Sequence, residues 1–186
     1  MYRAVTLFFL ENNIDYKQAA LVKASLDKIK IHFEDQGNTT FLNGRNVEHQ
    51  LAESAVANHV SPVATLTAIR EEMVRQQQEM GLASSVVMDG RDIGTVVFPE
   101  ATLKIFLTAD PEIRAKRRYN ELVGKGIETD FEAVKENLTQ RDLMDSTREN
   151  SPLKKAADAV LIDNTNLSRK EQLAMVKVLA EERMQL

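Results

Sequence analysis

Three observations predict an α/β fold with a parallel sheet flanked by helices. Short apolar runs at residues 85–88, 103–107 and 159–162 have the length and composition of strands buried on both faces. Helical patterns follow at about 111–123, 130–146 and 169–184. Strands that alternate with helices are joined by crossovers, and crossovers make neighbouring strands parallel. The 186 residues, 43% hydrophobic and 28% charged, suit one ordinary domain with a small insertion.

Each element has its own local reason. Val5, Phe8 and Phe9 recur at helical spacing, Asp15 is placed to cap a second helical segment, and Ala19, Val22 and Leu26 continue the pattern to residue 27. Ile29, Ile31 and Phe33 alternate with Lys30, His32 and Glu34. Asp35-Gln36-Gly37-Asn38 then turns the chain into an extended stretch at 39–42, which makes a hairpin. A second turn at Asn43-Gly44-Arg45-Asn46 leads to a third short strand, so a small antiparallel unit is expected at about 28–48. Helical patterns follow at 48–59 and, with Ser61 as cap and Pro62 at the first helical position, at 62–80.

In the second half the strand at 85–88 ends abruptly in Asp89-Gly90. The strand at 103–107 is closed by Asp110-Pro111-Glu112, an N-cap followed by proline and an acidic first turn. Capping boxes Thr129-x-x-Glu132 and Ser168-x-x-Glu171 start the two later helices.

Composition excludes several chemistries. With no Cys there are no disulfides, thiolate nucleophiles or Cys-held metals, and with no secretory leader a cytoplasmic setting is expected. No apolar run reaches the roughly 20 residues that span a bilayer. A net charge of −4 argues against indiscriminate binding to nucleic acid or membranes. His32, His49 and His59 show no metal-ligand spacing, and no sustained heptads call for an oligomer, so a monomer is expected.

Ligands of parallel α/β sheets bind beyond the carboxyl ends of the strands. That rule selects Asp89-Gly90-Arg91-Asp92, where two carboxylates and a guanidinium follow directly from an apolar run. Gly90 and Gly94 allow close backbone approach there, so the segment reads as a site rather than a solvated strand-end turn. On the helix from 130, the core stripe Phe131, Val134, Leu138 continues into Arg141, Asp145 and Arg148. Its inward face thus turns from apolar to charged. Arg114, Arg117 and Arg118, at i, i+3 and i+4, read equally as a solvated helix surface or as guanidiniums that close over a polyphosphate. Gly124-Lys125-Gly126 after them would let such a segment move. Arginines and a few Asp, with no nucleophile or His base, suit phosphoryl transfer, which needs positioning and charge neutralisation.

The chain resembles the bacterial cytidylate kinases, nucleoside-monophosphate kinases of the P-loop type, along essentially its whole length. The resemblance is carried by Met1-Tyr2-Arg3-Ala4, Val56-Ala57-Asn58 with Ser61-Pro62-Val63 and Arg70, and the long Asp89-Gly90-Arg91-Asp92-Ile93-Gly94-Thr95-Val96-Val97-Phe98-Pro99 block. Lys104-Ile105-Phe106-Leu107, Arg114-Ala115-Lys116-Arg117-Arg118, and Arg141-Asp142 with Asp145 and Arg148 complete it. It implies an acceptor site for CMP or dCMP. Arg3 and Arg91 would hold the acceptor phosphate, Ser61, Arg141 and Asp145 the ribose hydroxyls, and Arg70, Asp92 and Arg148 the cytosine and its surroundings. Arg114, Arg117 and Arg118 would form a lid over ATP at about 111–126, with Arg91, Asp89 and Arg117 serving catalysis and Asp89 lying near Mg2+. Residues 1–27 with 81–186 would form the core, and 28–80 the acceptor-side insertion.

One part of the family's pattern is missing. A P-loop reads Gly-x-x-x-x-Gly-Lys-Ser/Thr, because backbone amides cradle the phosphates and Lys neutralises them. No two of the 7 glycines are five apart, and no lysine is followed by Ser or Thr. The resemblance implies that the chain begins just after that motif, with the internal Met of the family's Ala-Met-Tyr-Arg run taken as Met1. In the family the missing strand lies centrally, so strand edges here would lack partners. The expectation is a cytidylate kinase polypeptide that is inactive as it stands; the alternative is a non-catalytic remnant that binds CMP or a partner.

Overall fold

The computed structural model describes residues 1–184, and these divide into two compact units between Val87 and Met88. The first helix packs inside the first unit, whereas the sequence-based division grouped 1–27 with 81–186.

The first unit is built around α1 (Tyr2–Glu11), whose Val5, Phe8 and Phe9 are buried as their spacing predicts. Phe9 is 1% exposed, and burying a side chain of that size stabilises by about 2–3 kcal/mol. A break at 12–18 separates α1 from α2 (Ala19–Leu26). Asp15 does not cap α2 as expected; Gln18 holds that position, and the Asp15 carboxylate accepts from the Lys17 amide and the Gln18 side chain instead. The cause is local: Asp side chains bond readily to the amide two residues on, which stabilises a turn before the helix can start.

The antiparallel unit forms as expected from β1 (Ile31–Glu34), β2 (Thr39–Leu42) and β3 (Arg45–Asn46). Ile31 pairs with Leu42, and Leu42 pairs with Arg45. The second turn is tighter than predicted, since Arg45 and Asn46 already belong to β3. Its two central residues, Asn43 at φ 51° and Gly44 at φ 80°, have the positive φ that a type I′ turn requires. His32 stacks on its cross-strand partner Phe41 at 4.8 Å.

α3 (Ser54–Val63) and α4 (Thr67–Ala83) complete this unit. Here the predicted boundary is wrong: Ser61 and Pro62 lie in the last turn of α3, and α4 begins after Leu66. Proline lacks an amide hydrogen and so ends a helix as well as it begins one.

In the second unit β4 (Ile105–Thr108) and β5 (Val160–Asp163) pair in parallel, from Ile105 with Val160 to Thr108 with Asp163. Between them come α5 (Pro111–Gly124) and α6 (Phe131–Thr147), packed on each other. α7 (Arg169–Met184) follows β5. Asp110 caps α5 through the Glu112 and Ile113 amides, and Ser168 with Glu171 closes the capping box before α7. For α6 the cap is Asp130, accepting from the Ala133 amide, in place of Thr129. The stronger acceptor, one residue on, takes the position.

The run at 85–88 is not a strand. Its Val86 and Val87 are 41% and 103% exposed, and no described strand pairs with it. Strand geometry is held by a neighbour's hydrogen bonds, so an apolar run without one stays irregular. The core of the second unit is correspondingly thin: Leu107 and Leu161 stay half-exposed, and no described residue of α7 is buried.

Candidate anion-binding site

Asp89-Gly90-Arg91-Asp92 leads into a single π-helical turn, Ile93–Val97. The Asp92 carbonyl accepts from the Val96 amide at 2.9 Å, and the Phe98 amide closes on Ile93 at 2.7 Å. π-turns are rare and occur often at functional sites. This one delivers Arg91 and Asp92 to the charged end of α6. Arg91 donates through Nε to Asp145 Oδ2 at 2.9 Å. The other Asp145 oxygen accepts from Arg148 Nη1 at 3.4 Å, and Arg148 Nη2 lies 3.9 Å from Asp92 Oδ1. Asp92 and Asp145 are 5% and 8% exposed, so both carboxylates are desolvated and held by guanidiniums.

Arg141 lies on the same stripe of α6. Its Nε is buried and makes no hydrogen bond among the described residues. Burial, and next the charge of Arg91, hold its guanidinium below its usual range, against the pull of Asp145. An arginine stays charged under such conditions. A buried guanidinium donor without an acceptor, beside a second arginine, is suited to receive an anion or a hydroxyl.

The three arginines of α5 do not share one face in use. Arg114 makes a bidentate pair with Asp142 on α6, at 2.5 and 3.1 Å, and that hydrogen bond raises its pKa. Arg118 pairs with Glu121 at 2.9 Å. Arg117 points elsewhere: it donates to the Asn164 side chain and to the carbonyls of Asn164, Thr165 and Leu167, in the loop after β5. Residues three and four on from Arg114 diverge by about 100° from each other, enough to send Arg117 and Arg118 to different neighbours.

Asp89 is exposed. Among the described residues no group of three or more His, Asp or Glu is placed to hold a metal ion. Arg3, Ser61 and Arg70 belong to the first unit. There Arg3 donates to the Leu51 carbonyl at 2.7 Å, and Ser61 sits on α3. Arg70, 3% exposed, donates to the Ala64 carbonyl at 3.1 Å and lies 5.4 Å from the centroid of the Tyr2 ring.

Sequence reasoning named Asp142 beside Arg141 but gave it no role as the partner of Arg114, because it lies one position off the stripe that selected Arg141 and Asp145. Its four-residue spacing from the stripe member Leu138 was the available signal.

A model of the family described as cytidylate kinase matches residues 1–182. The chain belongs to the cytidylate kinase family. A cytidylate kinase of Bacteroides fragilis is 54% identical over 179 residues, covering 92% of this chain and 78% of that protein. One of Parabacteroides distasonis is 51% identical over 182 residues, covering 94% and 79%. One of Streptococcus pneumoniae is 46% identical over 187 residues, covering 99% and 84%. Cytidylate kinases are nucleoside-monophosphate kinases, phosphotransferases with ATP as co-substrate, and the parallel β4–β5 pair with its helices and the small antiparallel sheet accord with that fold. No described helix is long and apolar enough to cross a membrane.

Proposed function

We propose that this chain carries the acceptor side of a CMP or dCMP kinase, and that transfer of the ATP γ-phosphate needs a phosphate cradle beyond its own 186 residues. The observation that carries the reading is the charged end of α6: Asp145 between Arg91 and Arg148, Asp92 facing Arg148, and Arg141 with a free buried donor.

Cytosine presents an amino donor beside N3 and O2 acceptors. A carboxylate toward the amine and guanidiniums toward the acceptors favour it over uracil, whose pattern is reversed at two of those atoms. Asp92 and Arg148 take this role. Arg91 holds the acceptor phosphate, and Arg141 and Asp145 meet the ribose hydroxyls. Arg114 and Arg118 leave Asp142 and Glu121 to engage the ATP phosphates, Arg117 holds the loop beside them, and Asp89 lies near Mg2+. Residues 28–80 serve as the acceptor-side insertion, and the chain acts as a cytoplasmic monomer on free nucleotides.

The test has two arms. Calorimetric titration of the 186-residue chain should show CMP bound more tightly than UMP. Coupled assays with CMP, dCMP and UMP should show ATP-dependent turnover only in a version extended by a Gly-x-x-x-x-Gly-Lys-Ser/Thr segment. Turnover in the short chain refutes the need for the cradle, and equal CMP and UMP binding refutes the acceptor site. A non-catalytic binding role is the second reading, favoured by the half-exposed Leu173 and Val178 of α7, and turnover in the extended version refutes it.

A further inference from the structure

Lys104 has no part in the nucleotide contacts assigned above, yet its side chain is only 8% exposed. Lysines are seldom so buried unless the ammonium is fully satisfied. Here Nζ donates to both oxygens of Asp158, at 3.0 and 2.7 Å, and to the Pro99 carbonyl. The pairing holds the Asp158 carboxyl below the usual carboxylate range. The aliphatic stem lies against Gly94, where an added Cβ would come within 3.2 Å of the lysine Cδ and 3.3 Å of its Cγ. The main-chain carbonyl of Lys104 meanwhile accepts from the Val160 amide at 2.9 Å, at the start of the parallel pair.

One residue therefore grips the π-helical turn twice, at Gly94 in its middle and at Pro99 just beyond its end. The turn is stiff between those points and Asp92. The Thr95 and Val97 amides also lie 3.3 Å from the Asp92 carbonyl, and Val97 is 2% exposed. A rigid turn held at one end sets where its other end points, and that other end is Arg91-Asp92.

We propose that Lys104 is a positioning residue: by clamping the turn to the starts of β4 and β5, it sets the geometry in which Arg91 meets Asp145 and Asp92 faces Arg148. Its consequence for nucleotide binding rests on the reading of Arg91 and Asp92 as CMP ligands; its geometric content does not.

Lys104→Met keeps an unbranched stem against Gly94 and deletes the ammonium, and Lys104→Arg restores donors. The direct readout is hydrogen exchange of the Arg91 Nε–H, followed by NMR in the full chain, with CMP affinity by calorimetry beside it. The methionine variant should speed that exchange and weaken CMP binding, each roughly tenfold, and the arginine variant should recover most of both losses. Asp158→Asn, which alters a carboxylate that is 64% exposed and spares the Pro99 contact, should shift both the same way by about two- to threefold and guards against a methionine variant that fails to fold. An unchanged Arg91 exchange rate in folded variants, even with a lowered unfolding midpoint, overturns the proposal and leaves Lys104 a stabilising ion pair. Failure of the unaltered chain to bind CMP counts against the CMP reading alone, since the exchange measurement still decides the role of Lys104.

Discussion

Asp145 is shared between two arginines: Arg91 reaches one oxygen at 2.9 Å and Arg148 the other at 3.4 Å. The Arg148 side chain is 7% exposed and that of Arg91 41%, so neutralising the carboxylate strands one buried cation and frees one at the surface. Asp145→Asn should cost about 2–3 kcal/mol in urea unfolding, below the usual figure for a fully buried pair because Arg91 reaches solvent. CMP binding should weaken with it. Unfolding within about 0.5 kcal/mol of the unaltered chain would show that the amide replaces the carboxylate and that the network is not electrostatic.

Arg117 makes a different kind of prediction. Four acceptors in the loop after β5 converge on its guanidinium, and the same loop is braced by Thr165, whose hydroxyl accepts from the Asp110 amide and donates to Asp163. Arg117→Ala should therefore raise amide exchange at residues 164–168 by roughly tenfold, with a global loss of about 1–2 kcal/mol, while α5 keeps its helicity. A freely moving lid arginine would leave exchange in that loop unchanged.

The sequence was most legible where local rules act alone. Asp110 and Ser168 with Glu171 bond to residues two or three positions away, and the Asn43-Gly44 turn joins Leu42 to Arg45 by positive φ at its two central residues, so their outcome is set locally. The reading failed at 85–88 for the opposite reason. Val86 and Val87 are apolar and β-branched, but a strand needs a hydrogen-bonded neighbour that composition does not supply.

The same distinction runs through the site. The stripe on α6 located Asp145 and Arg148, because helical periodicity is rigid and its continuation past Leu138 is geometry. It did not foretell that Arg117 turns to the loop after β5 while Arg114 turns to α6. Long guanidinium side chains choose among acceptors that only the assembled unit brings within reach.

Glu72 sets an acid limit on the first unit. Its carboxylate takes a bidentate pair from Arg75, at 2.6 and 2.8 Å, and a bond from Gln76 at 2.7 Å, while that Gln76 amide also reaches the Ile29 carbonyl. The Arg75 hydrogen bond, opposed by burial and helped by Gln76, lowers its pKa from the ordinary 4.5. A depressed pKa means stability that is present above the unfolded value and lost as pH falls through the folded one. Glu72→Gln should thus destabilise by about 0.5–1 kcal/mol at neutral pH, a modest figure because the Arg75 side of the pair is open to solvent. The gap between the two proteins should narrow as pH falls below the ordinary 4.5 toward the lowered folded-state value. Urea midpoints from pH 7 to 3 measure it, and a gap that stays constant would mean that Glu72 acts through packing rather than charge.

Gly44 tests whether the antiparallel unit depends on its turn. At φ 80° a side chain is disfavoured whatever the free space, and there is space, since nothing lies within 4 Å of a Cβ placed there. The cost of Gly44→Ala is therefore purely conformational, about 1–2 kcal/mol, with no clash added to it. Asn43, already at φ 51°, bonds through its amide to the Lys30 carbonyl and through its side chain to the Lys30 amide, so the register of β1 against β2 should survive. Gly44→Asn is the control: asparagine tolerates this region better than alanine and should recover part of the loss. Thermal unfolding of the three proteins orders them as Gly, Asn, Ala. Equal stability of the alanine and asparagine variants would show that the turn relaxes to another geometry instead of bearing the strain.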